Sequence, residues 1–553
     1  MNFYCIFVEK IQKIEIFMKL RLLSFFAFIL FLNFSLSTKA VKAYPGVLSY
    51  RQPDGTQIQF RMVGDESNHA TYSLEGEPLR LNENGFLVKS DSDQETQRKE
   101  KDAKADRRRG PGLMTTYYPT IGEQKALVVL VEFADNEFSM EDPLDFYTRM
   151  LNEEGFSDNG ASGSARDYFI ANSMGQFIPT FDVFGPVKLS EDMEFYGAND
   201  RWGDDVHPQL MLIEACRMLD NEIDFTEYDR NGDGVIDNVF VYYAGYGEND
   251  GGGANTIWPH SSKLSLVYKE KFIFDGVELD RYACSNELHS PMRDNGVDGI
   301  GTFCHEFGHV LGLPDLYATT FINMETPCYW DVMDTGNYNN EGNTPANLSA
   351  FERYALDWLE PIPLFDSDAV LENLGDSNTA YIFQCNNPNE YFLFENRQQT
   401  GFDEYLPGHG MLIWQINYDE RIWAQNIVNN SFLQQYVDLI EADGIGGIAT
   451  SAGDPFPGTT GKTEFSSKSS PAFRARTQAY IPYSLLNIEE TEEGLIKFRI
   501  YDPTFTDGIE TIGNDFGEDK VDKVYDLFGR PVDKGNLPSG FYIRNGCKVL
   551  ITR

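Results

Sequence analysis

The sequence predicts a mixed α/β domain with smaller β-rich units on either side, and three observations carry that prediction. Two predominantly apolar runs, 126–133 and 238–244, read as buried strands. Helical patterns over 143–151, 164–173 and 208–219 lie between them, and such alternation favours helices packed on a sheet. Beyond about residue 362 the pattern changes to short strands, among them 390–395 and 411–417, separated by Gly, Pro and Asn turns; this predicts a β-sandwich-like domain.

From the N-terminus, Lys19 and Arg21 precede an apolar run over 22–36 and the small-residue site Val41-Lys42-Ala43. This is the layout of a secretory signal, expected over residues 1–43. The run is too short for a membrane span, and nothing later reaches spanning length, so no span is expected after its removal. Residues 44 to about 94 alternate apolar and polar, with turn signals at Pro53-Asp54-Gly55 and Asn84-Gly85, as a small β-rich unit would. Residues 95–112 are charged and nearly free of apolar side chains, so they form a linker, ending in Arg107-Arg108-Arg109. The unit and its linker occupy 44–115, the α/β domain 116–362, the second β-rich domain 363–510 and a tail 511–553.

The net charge of −41 leaves no basic stripe to displace counterions from phosphates, which excludes nucleic acid as a partner. Six cysteines follow the expected signal: Cys216, Cys284, Cys304, Cys328, Cys385 and Cys547. They permit up to three disulfides or stand as buried thiols, and none has the spacing of a zinc ribbon.

The most specific chemistry lies in Cys304-His305-Glu306-Phe307-Gly308-His309-Val310-Leu311-Gly312-Leu313-Pro314-Asp315. On a helix, positions i and i+4 share a face, so His305 and His309 can present two imidazoles to one metal. Gly312 can end the helix in a left-handed turn, and Asp315 can return as third ligand. Three protein ligands leave a position open, as in a catalytic zinc site; a structural site is closed with four. Glu306 is placed to act as general base on a water at that metal. The added Gly and Asp have the spacing of the metzincin group, and Met333, in Trp330-Asp331-Val332-Met333, fits that group's methionine turn. The chain is therefore expected to be a metalloendopeptidase with a metzincin-like catalytic domain.

Four blocks extend the likeness: 163–177, 229–237, 305–317 and 330–333, with a fifth from Glu395 to Trp414. Over roughly 45–500 the chain resembles the immune inhibitor A-like family of secreted bacterial metallopeptidases. The resemblance implies that the first unit is a propeptide; a trypsin-like cut at Arg109 would release it. Asp334-Thr335-Gly336, after Met333, departs from the small residues expected there.

Asp229, Asn231, Asp233, Val235 and Asp237 occupy positions 1, 3, 5, 7 and 9 of a calcium loop, with Gly234 at the sixth, while Phe240 replaces the usual Glu at the twelfth. Calcium is expected there as a stabilising ion, and an Asp/Asn/Gly turn is the plainer alternative. The segment Gly251-Gly252-Gly253 to Thr256-Ile257-Trp258-Pro259-His260 is a candidate edge strand for pairing with a peptide substrate. His260 lacks partners at metal spacing and is left out of the ligand set. Tyr338 is a candidate stabiliser of the oxyanion. The tail, with Val524-Tyr525-Asp526 and Gly540-Phe541-Tyr542, resembles sorting tails read by type IX secretion, which names that machinery as a partner.

These features predict a secreted or cell-surface zinc endopeptidase, made as a zymogen and acting on proteins or peptides. The alternative is a calcium-stabilised surface adhesin or binding protein with an inactive protease site. The first unit holds no cysteine to block the zinc, so latency would need an oxygen ligand, with Asp54 and Asp65 as candidates by residue type, or occupation of the cleft.

Overall fold

A computed structural model describes residues 39–89 and 118–503, apart from 66–67, 75, 83–84, 202, 290–295, 320–325, 432–434 and 478, together with four short strands between 524 and 551. The signal's apolar run and the linker with Arg109 lie outside the described residues.

A six-stranded sheet organises the α/β domain, in the order Lys39–Ala40, His260–Lys263, Arg281–Leu288, Val239–Tyr246, Gly122–Glu132 and Phe177–Lys188. The last four pair in parallel; His260–Lys263 is antiparallel to both of its neighbours. Both predicted apolar runs lie in central strands, buried on both faces as parallel strands must be. Helix Ala165–Asn172 starts on a capping box between Ser164 and Asp167 and turns Ala165, Tyr168 and Phe169 inward.

The helix Gly301–Leu311 lies against one face of this sheet. Phe303 and Phe307, one turn apart, stack on each other at 5.7 Å. They meet Phe240 at 4.4 Å and Phe181 at 5.4 Å. His305 and His309 have the same spacing but are offset by two residues, which turns them to the opposite side of the helix. Packing of the phenylalanines thus aims the imidazoles.

Residues 362–501 form a five-stranded and a four-stranded sheet. Phe392, Phe394 and Ile413 share a core with Leu485, Ile496 and Phe498 of the second sheet. Their neighbours Tyr391, Leu393, Leu412 and Trp414 point the other way, into the core that holds Phe307 and Trp330. Strand alternation therefore gives one sheet to two cores, and the expected boundary at 362/363 does not separate two independent packing units.

Residues 48–89 form a five-stranded antiparallel sheet. Its Leu48, Phe60, Met62 and Leu87 pack with Val41 and Ala43 and with Trp258 and Tyr338 of the α/β domain. The expected signal boundary at residue 43 thus falls inside a packed segment. Cys216, Cys304, Cys328 and Cys385 are free, buried thiols, and Cys284 is buried with its Sγ 3.6 Å from His260 Nδ1.

Candidate metal centre

Gly312 ends the metal helix at φ 101°, and Leu313 N–H bonds back to the Gly308 carbonyl at 2.9 Å. The chain turns under the helix and brings Asp315 to the histidines. His305 Nε2 and His309 Nε2 lie 3.2 and 3.1 Å from Asp315 Oδ1, and all three side chains are buried. Among the described residues this is the one group of three or more His, Cys, Asp or Glu whose ligand atoms all lie within 4.8 Å of one another.

The residues fit a metal ion on three counts. His305 Nδ1 donates to the Val332 carbonyl and His309 Nδ1 to the Leu313 carbonyl, each at 2.8 Å, which leaves Nε2 as the inward nitrogen. His305 Nε2 and Asp315 Oδ1 approach each other without meeting in hydrogen-bond geometry, as donors sharing a cation would. The pocket also favours positive charge. Burial works to lower the His305 pKa, but the contact with Asp315 and the charges of Glu306 and Asp315 outweigh it and lift it to about 9. Burial would raise the Asp315 carboxyl, yet the two imidazoles hold it well below the usual carboxylate range. Two imidazoles and one carboxylate are a donor set suited to zinc.

Met333 lies directly beneath. A Cβ on Gly308 would stand 2.6 Å from Met333 Sδ, so the bare helix face between the two histidines is what admits the thioether. Asp331 Oδ1 accepts from Met333 N–H at 2.8 Å and holds the turn. Glu306 is buried in the helix next to His305.

Sequence reasoning missed one part of this centre. Asn426 follows the helix Glu420–Ala424 of the C-terminal unit, and its Oδ1 accepts from Asp315 N–H at 2.8 Å while its amide donates to Asp315 Oδ2. Asn429 donates to the Leu316 carbonyl at 2.8 Å. Nothing local marks either residue; both lie more than a hundred positions from the ligand loop.

The other candidates are placed as follows. His260 is no part of the ligand group: its Nδ1 meets the Trp258 carbonyl and its Nε2 the Tyr282 hydroxyl, both at 2.7 Å. The edge strand begins at His260, the last residue of the segment expected, because 248–256 is taken up by turns. Tyr338 donates to the Lys42 carbonyl and accepts from Asn249 Nδ2 at 3.0 Å. Asp54 lies in an exposed turn, bonded to Thr56. In the 229–237 loop, Gly234 has φ 83° as a sixth-position turn requires. There the carboxylates accept from the loop's own amides, Asp229 from Asp233 and Gly234, Asp237 from Arg230. Arg281 reaches Asp233 at 3.4 Å and Asp237 at 3.9 Å. Asp229, Asp233 and Asp237 do not gather three oxygens within 4.8 Å, so this loop is not drawn together as the histidine site is.

A buried His-His-Asp site on a helix that packs against a mostly parallel sheet, with a methionine under it, defines a metallopeptidase domain. Residues 114–360 match the family described as immune inhibitor A peptidase M6, catalytic domain, so this part of the chain carries an immune inhibitor A-like metallopeptidase domain. It is 26% identical over 300 residues to the pre-pro-metalloprotease PrtV of Vibrio cholerae serotype O1, covering 45% of this chain and 32% of the relative. It is likewise 26% identical over 283 residues to immune inhibitor A of Bacillus thuringiensis subsp. alesti, covering 43% and 40%. The match thus spans well under half of either relative. No helix among the described residues is long and apolar enough to cross a membrane.

Proposed function

We propose that the chain is a secreted zinc endopeptidase acting on extracellular proteins. The observation that carries the proposal is the convergence within 4.8 Å of His305 Nε2 and His309 Nε2, on a helix that also carries Glu306, with Asp315 Oδ1 from the loop that follows it. Zinc, when bound, would supply Lewis acidity and lower the pKa of a water towards about 7. The chain's own residues do the rest. His305, His309 and Asp315 hold the ion, with the Val332 and Leu313 carbonyls fixing the rings. Glu306 takes the proton from the attacking water and returns it to the leaving amine. Tyr338 offers a hydroxyl to a backbone carbonyl in the cleft.

Around this core, 44–115 is read as a propeptide released by a cut at Arg109, and the sandwich-like domain as a brace for the ligand loop. Calcium at Asp229, Asn231, Asp233, Val235 and Asp237 would be structural, and the tail would direct type IX export. The test is casein hydrolysis by the processed chain, with and without a zinc chelator, beside Glu306→Ala. The variant should keep its zinc and lose about 10²–10⁴-fold in turnover. Near-normal turnover by Glu306→Ala would sink the mechanism.

A further inference from the structure

The pocket beside the metal centre is already filled by this chain's own N-terminal segment, in the manner of a peptide. Lys39–Ala40 pairs antiparallel with the edge strand, Lys39 opposite Ser261 and Ala40 opposite His260. The pairing continues beyond the strand. Val41 N–H donates to the Pro259 carbonyl at 3.3 Å, and the Val41 carbonyl accepts from Trp258 Nε1 at 2.7 Å. The Lys42 carbonyl accepts from Tyr338, and Tyr44 N–H donates to the Asn249 carbonyl at 2.9 Å. Main-chain bonds of this kind hold a peptide added to a sheet edge, and side-chain pockets then read its sequence.

One side chain of the segment enters such a pocket. Lys42 Nζ lies 3.0 Å from Asp334 Oδ1 and 3.2 Å from Thr335 Oγ1, and 5.8 Å from the centre of the Tyr317 ring. The Tyr317 ring in turn stacks beside His305 at 6.4 Å. Asp334 is two residues past Val332, whose carbonyl anchors the same histidine. The Lys42 pocket therefore adjoins the metal centre.

Asp334 is fully buried, and a buried carboxylate is costly unless a cation meets it. Among the described residues Lys42 is the basic group paired with it. Burial works to lower the Lys42 pKa, but Asp334 and its neighbours overcome this and hold the amine above its ordinary value. Lys42 lies outside the catalytic domain at 114–360, so once the N-terminal segment leaves, Asp334 faces the cleft without its partner. We infer that Asp334, with Thr335 and the Tyr317 ring, forms a specificity pocket that selects a lysine side chain of the substrate next to the scissile bond. The inference rests on the peptidase reading above and deepens it.

The geometry also ranks the two basic side chains. Asp334 Oδ2 is taken by Cys328 N–H at 2.9 Å, which leaves Oδ1 to face the pocket beside the Thr335 hydroxyl. One open carboxylate oxygen suits the point charge of an ammonium better than the two-pronged guanidinium. Lysine is selected over arginine, and both over an uncharged chain of equal length.

The test uses the processed full-length chain and fluorogenic peptides that differ at one position, on each side of the scissile bond in turn, carrying Lys, Arg, Met or Glu. On one side Lys should exceed Met in kcat/KM by at least about 30-fold, since choosing Met leaves the carboxylate buried and unpaired. Asp334→Asn keeps an acceptor for Cys328 and should bring the Lys-to-Met ratio close to one, a change in selectivity that general damage to the fold would not produce. A readout without turnover uses the full chain, expressed so that residues 39–44 are retained, carrying Glu306→Ala. There Lys42→Met should speed amide exchange at residues 41–44 relative to Lys42 itself. Equal use of Lys and Met by the unsubstituted chain, with or without a folded Asp334→Asn, overturns the pocket while leaving the peptidase reading intact. A zinc-loaded, processed chain that cleaves neither these peptides nor casein overturns both.

Discussion

His260, on the edge strand, and the pair His305 and His309, on the metal helix, are buried alike, and each ring donates from Nδ1 to a main-chain carbonyl at 2.7–2.8 Å. They differ at Nε2. His260 receives the hydroxyl of Tyr282, and burial pushes its pKa down to about 4. His305 faces the Asp315 carboxylate, which overrides the same burial and lifts it to about 9. Burial and a fixed ring are therefore common to His260 and to the two candidate metal ligands. The group at the second nitrogen decides between them, by making the site prefer a neutral ring or a cation.

The largest effect that would break this comparison is loss of the ion. His309→Ala or Asp315→Ala should empty the zinc site and abolish turnover, whereas His260→Gln should retain one zinc per chain by metal analysis. Equal zinc loss in all three would mean that His260 belongs to the site after all.

This contrast was legible in the sequence because it is local. His305, Glu306, His309, Gly312 and Asp315 fall within eleven residues; the helical period places the first three, and the glycine turn returns the aspartate. His260 has no histidine or carboxylate at such spacing in the sequence, and in the fold its two nitrogens meet the Trp258 carbonyl and the Tyr282 hydroxyl. The buried strands at 126–133 and 238–244 were equally local, and both lie in central strands of the sheet. What the sequence hid is long-range. Asn426 grips Asp315 from 111 positions away, and Lys42 meets Asp334 from 292. A single Asn or Lys carries no periodic signal, so only the folded chain brings these pairs together. The departure at Asp334-Thr335 was visible, but its meaning depends on Lys42 arriving from the other end of the chain. The shared sheet face explains a further miss: alternation in 390–397 predicts a strand and does not say that each face enters a different core.

A middle-sized effect tests whether the remote brace matters to the metal. Asn426→Ala leaves the three ligands intact but removes both bonds to Asp315. Zinc affinity should fall about 10–100-fold, the usual cost of losing a group that orients a ligand. Competition with a chromogenic chelator measures it. Unchanged affinity would show that Asp315 is positioned by its own loop alone.

The smallest effect concerns His260 itself. With its pKa at about 4 in the folded protein, this imidazole stays neutral at a pH where the unfolded one, near 6.5, takes up a proton. The unfolded chain binds that proton first as the pH falls, so the stability present above pH ~6.5 is lost between there and pH ~4. The loss should be on the order of 1–3 kcal/mol across the window, most of it at the acid end. His260→Gln removes the titrating ring and should flatten that part of the profile, seen as a smaller shift in the urea midpoint between pH 7 and pH 5. Both chains are compared free of metal, so that zinc release does not enter the difference. If the two midpoints shift equally, the buried ring carries a proton in the folded chain, and burial without a facing carboxylate does not keep it neutral as the comparison requires.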